Sequence, residues 1–343
     1  MTIDEFPVPT AESQPWGITV GPDGNIWFTE RRARKIGRIS LAGDITEIAF
    51  PALRGAPGEL GWPQAIVTGP DANIWFTANY FGAGDLGRVM PNGQVEYREL
   101  WPDGSHSRYD PRAITVGPDG NLWISVAGTR RNFVTARRTD YTFARSAALQ
   151  TWHHGLDGIA IAGDSVWVTS QGFGLILQIS LTGEVVEHRL PDPAARPAGI
   201  TVGPDGALWF TESSANKIGR MTTDGVLTDE FPIPTPDSAP VRIVTGPDDN
   251  LWFTEENGSR IGRITVDGEI TEFPTPTPHS GPRDITLGPD GNLWFVEATG
   301  NKVGRLSLGG VGRGDTCRRD VAAPVSSAPG APTHPPACRP LVP

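Results

Sequence analysis

The sequence predicts an all-β chain folded as a seven-bladed β-propeller, closed by the amino-terminal strand pairing with the last blade. Three observations predict it. A tryptophan-centred unit recurs at Trp27, Trp75, Trp123, Trp167, Trp209, Trp252 and Trp294, spaced by 48, 48, 44, 42, 43 and 42 residues, the period of a four-stranded blade. The last copy lacks a fourth strand, and a spare one, Ile3-Asp-Glu-Phe-Pro-Val8, stands before the first copy. Finally, 42 Gly and 33 Pro among 343 residues suit many tight turns between short strands and no long helices.

Each strand of the first unit has a local reason. Residues 16–20 form strand A, and Pro22-Asp23-Gly24 turns the chain, because Pro fixes φ and Gly accepts the positive φ of the next turn position. Residues 26–30, Ile-Trp-Phe-Thr-Glu, return as strand B, rich in aromatic and β-branched side chains. Residues 35–39 and 45–48 supply strands C and D, and the same signatures recur at 217–221 with 227–231 and at 260–264 with 270–273. The Asp and Asn of the repeated Gly-Pro-Asp-Gly-Asn read as turn formers rather than calcium ligands, since nearly every blade carries them. The Trp and the Gly-Arg of strand C read as blade-to-blade packing. Residues 2–308 then make one propeller domain, and the Pro/Ala-rich segment 309–343 reads as a disordered tail.

Composition narrows the partners. A net charge of −10 provides no basic field for nucleic acid or an anionic membrane, and no apolar stretch is long enough to span a bilayer. The amino terminus carries no secretory pattern. Both cysteines, Cys317 and Cys338, fall in the tail, so the propeller body needs no disulfide. The expectation is a cytoplasmic monomer acting on a small-molecule or cyclic peptide-like ligand.

The D–A and B–C loops share one face, where residues 51–63, 79–84 and 101–111 are extended, and loops that vary on a fixed scaffold are where sites are built. Centring the first hairpin on Asp23 pairs Trp16 with Glu30; the same arithmetic pairs Gln64 with Ala78, Arg112 with Val126 and Arg283 with Glu297. These residues, with Asp157, Glu212 and Glu255, would ring the mouth of the central channel. Arg242 and Asp284 stand where other blades carry Gly or Ala, and adjacent blades would let them pair. The candidate substrate-binding set is therefore Trp16, Gln64, Arg112, Arg242, Arg283 and Asp284. His154, three residues before Asp157 in a D–A loop, is the strongest candidate base, because imidazole titrates near neutrality; Asp157 and Glu297 complete the candidate catalytic set. No metal-ligand spacing, nucleophile elbow or phosphate-cradling loop occurs.

The units Gly-Pro-Asp-Gly-Asn-Leu-Trp-Phe-Thr-Glu, Asn-Lys-Ile-Gly-Arg and Ile-Thr-Glu-Phe-Pro resemble the virginiamycin B lyase (streptogramin lyase) family over nearly all of residues 2–308. The resemblance implies linearisation of a cyclic depsipeptide antibiotic by elimination, with a base taking the proton α to a carbonyl and Mg2+ stabilising the enolate-like charge. It also implies an aromatic substrate contact at Trp16 and a metal-site carboxylate at Glu297. The chain departs from the pattern at the other positions. Val241 stands where the family has a His before the sixth blade, and Gly281 and Arg283 replace the Glu and His before the seventh. These departures argue against antibiotic linearisation. A lyase of altered chemistry, a noncatalytic ligand- or protein-binding scaffold and a metal-dependent lactonase-type hydrolase are the functions left open, because fold alone does not assign function.

Overall fold

The computed structural model describes residues 1–50, 61–80, 83–100, 109–128, 132–149 and 155–309. The predicted tail beyond Gly309, most of the extended loops and His154 lie outside the described residues. Among the described residues are seven four-stranded antiparallel sheets and no helix, so none is long and apolar enough to cross a membrane.

Blade one is built from Pro15–Val20, Ile26–Glu30, Lys35–Ile39 and Ile45–Ala49. The innermost strands of the next six blades are Trp62–Thr68, Tyr109–Val116, Leu156–Ala162, Pro197–Val202, Pro240–Thr245 and Pro282–Leu287. The chain's first strand, Thr2–Pro7, pairs antiparallel with Lys302–Ser307 of blade seven, in register from Thr2 opposite Ser307 to Pro7 opposite Lys302. Strand A of blade one also packs on strand A of blade seven, so first and last blades are neighbours.

The repeat residues have mutually dependent roles within each blade. Gly24 takes the positive φ of the A–B turn, at 73°. The turn Asp accepts the indole N–H of the strand B Trp, at 2.8–3.1 Å in six blades: Asp23 from Trp27, Asp71 from Trp75, Asp119 from Trp123, Asp205 from Trp209, Asp248 from Trp252 and Asp290 from Trp294. A buried indole N–H needs such an acceptor. The strand C Arg then bridges the pair: Arg38 binds Asp23 at 2.7 Å and lies 5.8 Å from the Trp27 ring centre. The strand C Gly is small for a different reason, since a Cβ on Gly37 would collide with the ring of Phe28.

A side chain that the repeat pattern understates joins the blades. On strand B, the Thr29 hydroxyl accepts the Gly17 N–H of its own blade and donates to the Gln64 carbonyl of the next, both at 2.8 Å. Ser125, Thr169, Thr211 and Thr254 make the same two bonds, reaching the carbonyls of Asp157, Ala198, Val241 and Arg283. All five hydroxyl residues are fully buried. Blade seven carries Val296 at this position, and there the Asp284 carboxylate accepts the Ile18 N–H of blade one at 3.0 Å.

One junction is underfilled. Phe6, Phe231 and Phe273 of strand D stack on the Trp of their own blade, at 5.5–5.7 Å between ring centres. Blade one has Ile48 at that register position, opposite Ile36 as Phe6 is opposite Val303. A groove of about 360 Å³ lined by Trp27, Ile48, Ile74, Val89 and Met90 remains, and Trp27 is 8% exposed where the other six repeat tryptophans are 0% exposed.

Two outcomes test this packing by thermal denaturation. Thr211→Val leaves a buried N–H and a buried C=O unbonded and is expected to cost about 2–3 kcal/mol, whereas Thr211→Ser retains most of the wild-type stability. Ile48→Phe fills the groove and is expected to raise the melting temperature; a lowered one would show the slot does not accept the ring.

Candidate functional site

Channel-mouth geometry is set by a β-bulge at the start of each innermost strand. In blade one Ile18 faces Phe28, but Pro15 rather than Trp16 faces Glu30, so Trp16 and Gly17 share one partner, Thr29. The shift recurs in every blade, between Pro63 and Ile66, Pro111 and Ala113, Leu156 and Ile159, Pro197 and Ile200, Pro240 and Ile243, and Pro282 and Ile285. A bulge adds one residue to one strand and re-aims the side chains beside it. The hairpin arithmetic therefore fails at its far end. Glu30, Glu212, Glu255 and Glu297 are not opposite the mouth residues, and all four are fully buried.

The residue after that strand B position contacts mouth residues instead in four blades. The Arg31 guanidinium lies 4.3 Å from the Trp16 ring centre, and Glu256 binds Arg283 Nη1 at 2.7 and 2.8 Å. Gln171 Nε2 donates to Asp157 Oδ2 at 2.6 Å, and Asn79 Nδ2 donates to Asp110 Oδ1 at 2.6 Å. Sequence reasoning missed Arg31, Asp110, Gln171 and Glu256. The available signal was the small residue two places after the repeated proline, which the bulge turns against the next blade.

Trp16, Gln64, Arg112, Arg242, Arg283 and Asp284, all predicted from sequence, line one cavity of about 180 Å³ at the channel mouth. Their partners differ from expectation. Arg242 does not pair with its neighbour Asp284; it spans blade five to bind Asp157 of blade four at 2.9 Å. Asp284 instead accepts the backbone N–H groups of Ile18 and Ile285. Arg283 pairs with Glu256, not Glu297, and its guanidinium carbon lies 3.4 Å from the Trp16 ring centre. Arg112 binds Asp110 at 2.5 Å, and Gln64 donates to the same carboxylate at 2.6 Å. Burial alone would raise Asp157, but the Arg242 guanidinium holds it below the usual carboxylate range. Burial raises Asp284 against the pull of Arg242. Burial, then the like charges of Arg283 and Arg112, lower Arg31.

The buried glutamates form a separate layer. Burial and the nearby Glu47 push Glu30 up to about 8; burial and Glu272 do the same to Glu255, also to about 8. Glu212 is raised beside Glu230. Glu297 reaches about 7 beside Glu5. Despite their own burial, Glu47 and Glu5 are held low by bonds to Lys35 and Lys302. In the Glu30–Glu47 and Glu297–Glu5 pairs, one carboxyl is thus favoured neutral and the other favoured ionised.

This arrangement does not fit a magnesium site. Glu297 is fully buried beside Glu5 and does not line the cavity. The mouth position of the same blade is a guanidinium, and among the described residues no three His, Cys, Asp or Glu side chains form a metal-holding group. No described histidine lines the cavity, and His279 is exposed.

Comparison with known proteins places the chain. The model of the virginiamycin B lyase family matches residues 2–107 and 104–322, and the chain belongs to that family. Virginiamycin B lyase of Nocardia farcinica is 31% identical over 234 residues, 57% of this chain and 76% of that protein. A solved virginiamycin B lyase from Staphylococcus aureus superposes with a TM-score of 0.79 at 32% identity, covering 90% of this chain and 99% of the other. A catalytically inactive His-to-Ala variant of that enzyme, solved with quinupristin, aligns with the same TM-score and identity. A streptogramin B lyase structure aligns at 34% identity and a TM-score of 0.78, over 90% and 98% of the two chains.

The glutamate layer predicts a pH dependence. A carboxyl raised from 4.5 to about 8 by folding binds more protons folded than unfolded, so its contribution is full below about pH 4.5, declines above it, and is lost beyond about pH 8. The melting temperature is expected to fall from pH 5 to pH 9, and Glu30→Gln with Glu255→Gln to flatten that slope. An unchanged slope in the double variant would remove these groups as its cause.

Proposed function

We propose that this family member binds a small or medium-sized polar ligand at the channel mouth, and that any lyase chemistry it retains does not run through the histidine and magnesium the resemblance implies. One observation carries this reading: charged side chains, locked in pairs, occupy the mouth. Asp157 is held by Arg242 and Gln171, and Arg283 by Glu256. A carboxylate capped by a guanidinium and held low is a weak base, so Asp157 suits positioning better than proton abstraction. The cavity offers what a ligand site needs, a concave surface with several fixed polar groups beside an aromatic face.

The same reading takes the protein as a cytoplasmic monomer without nucleic-acid or membrane partners, supported by its net charge of −10 and its cysteine-free repeats.

The direct test incubates the purified chain with quinupristin, with and without Mg2+, and follows ring opening by mass spectrometry. The expected result is no linear product above the protein-free control. Steady magnesium-dependent linearisation would overturn the reading. His154→Ala would then show whether that residue, outside the described structure, supplies the base.

A further inference from the structure

Among the described residues, an aromatic ring covers the strand B tryptophan in five blades. Phe6, His188, Phe231 and Phe273 stack on Trp294, Trp167, Trp209 and Trp252, with ring planes within 30° of parallel. These four stand at one register position of strand D, opposite Val303, Ile176, Ile218 and Ile261 of strand C. In blade two the ring comes from the neighbouring blade, where Tyr141 of the C–D turn lies 5.1 Å from Trp75. Trp123 of blade three is fully buried among aliphatic side chains. Trp27 of blade one differs from all of these, because Ile48 holds the strand D position and the groove beside it stays open.

The far wall of the ring slot is a glycine in the next blade's C–D turn. A Cβ on Gly43, Gly225 or Gly268 would collide with the ring of Phe6, His188 or Phe231. Gly93 of blade two is the corresponding glycine for Trp27. It keeps the positive φ, at 82°, but a Cβ there would meet no described atom within 4 Å beyond its chain neighbours. Blade one thus retains both walls of the slot, the indole and the glycine turn, with a groove of about 360 Å³ between them. An apolar cavity of about 150 Å³ suffices for benzene, so two fused rings fit here. The polar end of the groove is neutral overall, since Arg38 is bound to Asp23 at 2.7 Å. The groove lies by the A–B and C–D turns, on the face opposite the D–A and B–C loops, and shares no lining residue with the mouth cavity.

We propose that this groove binds a flat, neutral aromatic molecule of one or two rings, stacked on Trp27 with its edge against Ile48 and Met90. The chain itself shows the chemistry the slot accepts, because its other blades place a ring there, near-parallel to the indole. The volume and the concave shape suit a small molecule. This site is separate from the mouth, and the inference does not rest on the ligand proposed there.

The experiment titrates the full chain by calorimetry with 2-naphthol and with decahydro-2-naphthol, its saturated and puckered counterpart. 2-Naphthol is expected to bind with one molecule per chain and at least tenfold more tightly than the saturated probe. Ile48→Phe puts a ring of the chain's own into the slot and is expected to weaken 2-naphthol at least tenfold. Trp16→Ala, at the mouth, is expected to leave its affinity unchanged. Crystals of the unaltered chain soaked with 6-bromo-2-naphthol give a readout that needs no variant, with an anomalous bromine peak expected between Trp27 and Gly93. Equal binding of the two probes, no 2-naphthol binding, an unaffected Ile48→Phe, a loss in Trp16→Ala or no bromine peak at Trp27 would each overturn the proposal.

Discussion

A buried hydroxyl on the second strand of a blade, bonded at once to its own bulge and to the next blade's innermost carbonyl, is the constraint on which the rest of this structure depends. Thr29, Ser125, Thr169, Thr211 and Thr254 each satisfy an amide that the bulge removes from the hairpin ladder. Each also fixes the backbone of a mouth position, from Gln64 and Asp157 to Arg283. Leaving those backbone groups unbonded in a buried layer would cost more than most surface contacts supply. The bulge and the hydroxyl therefore require one another, and together they decide which side chains meet at the channel.

That decision separates two populations of acidic groups. The glutamates ending strand B are turned into the blade, where burial and a second carboxyl favour the neutral form. Asp110, Asp157 and Glu256 at the mouth pair with arginines. The Arg242–Asp157 pair spans blade five and ties blades four and six together. A buried ion pair of this kind is weak evidence for stability and better evidence for specificity. Here it joins a cavity-lining guanidinium, beside Val241 where the resemblance places a histidine, to a carboxylate two blades away.

Much of this was legible in the repeat. The Trp period gave seven blades, and the unpaired fourth strand pointed to the partner of Lys302–Ser307. The turn Asp is indeed a turn residue, though its acceptor role toward Trp27 is visible only in three dimensions. The six residues proposed to contact a ligand all line the cavity: Trp16, Gln64, Arg112 and Arg283 stand two places before a strand A isoleucine, and Arg242 and Asp284 stand one place before it, where other blades carry Gly or Ala. The pairing arithmetic erred where the two-residue period of a strand is broken. One extra residue put Arg31, Gln171 and Glu256 at the mouth in place of their neighbours, and the partners of Arg242 and Arg283 moved with them.

The amino-acid sequence by itself determined the architecture, since a periodic pattern of apolar, turn and aromatic residues has one economical way to bury its faces around an axis. It also determined which residue types stand on the innermost strands. Only the tertiary structure decided which of them meet: a bulge is a backbone event that propensities do not mark, and an ion pair between blades four and six depends on the channel width rather than on distance along the chain.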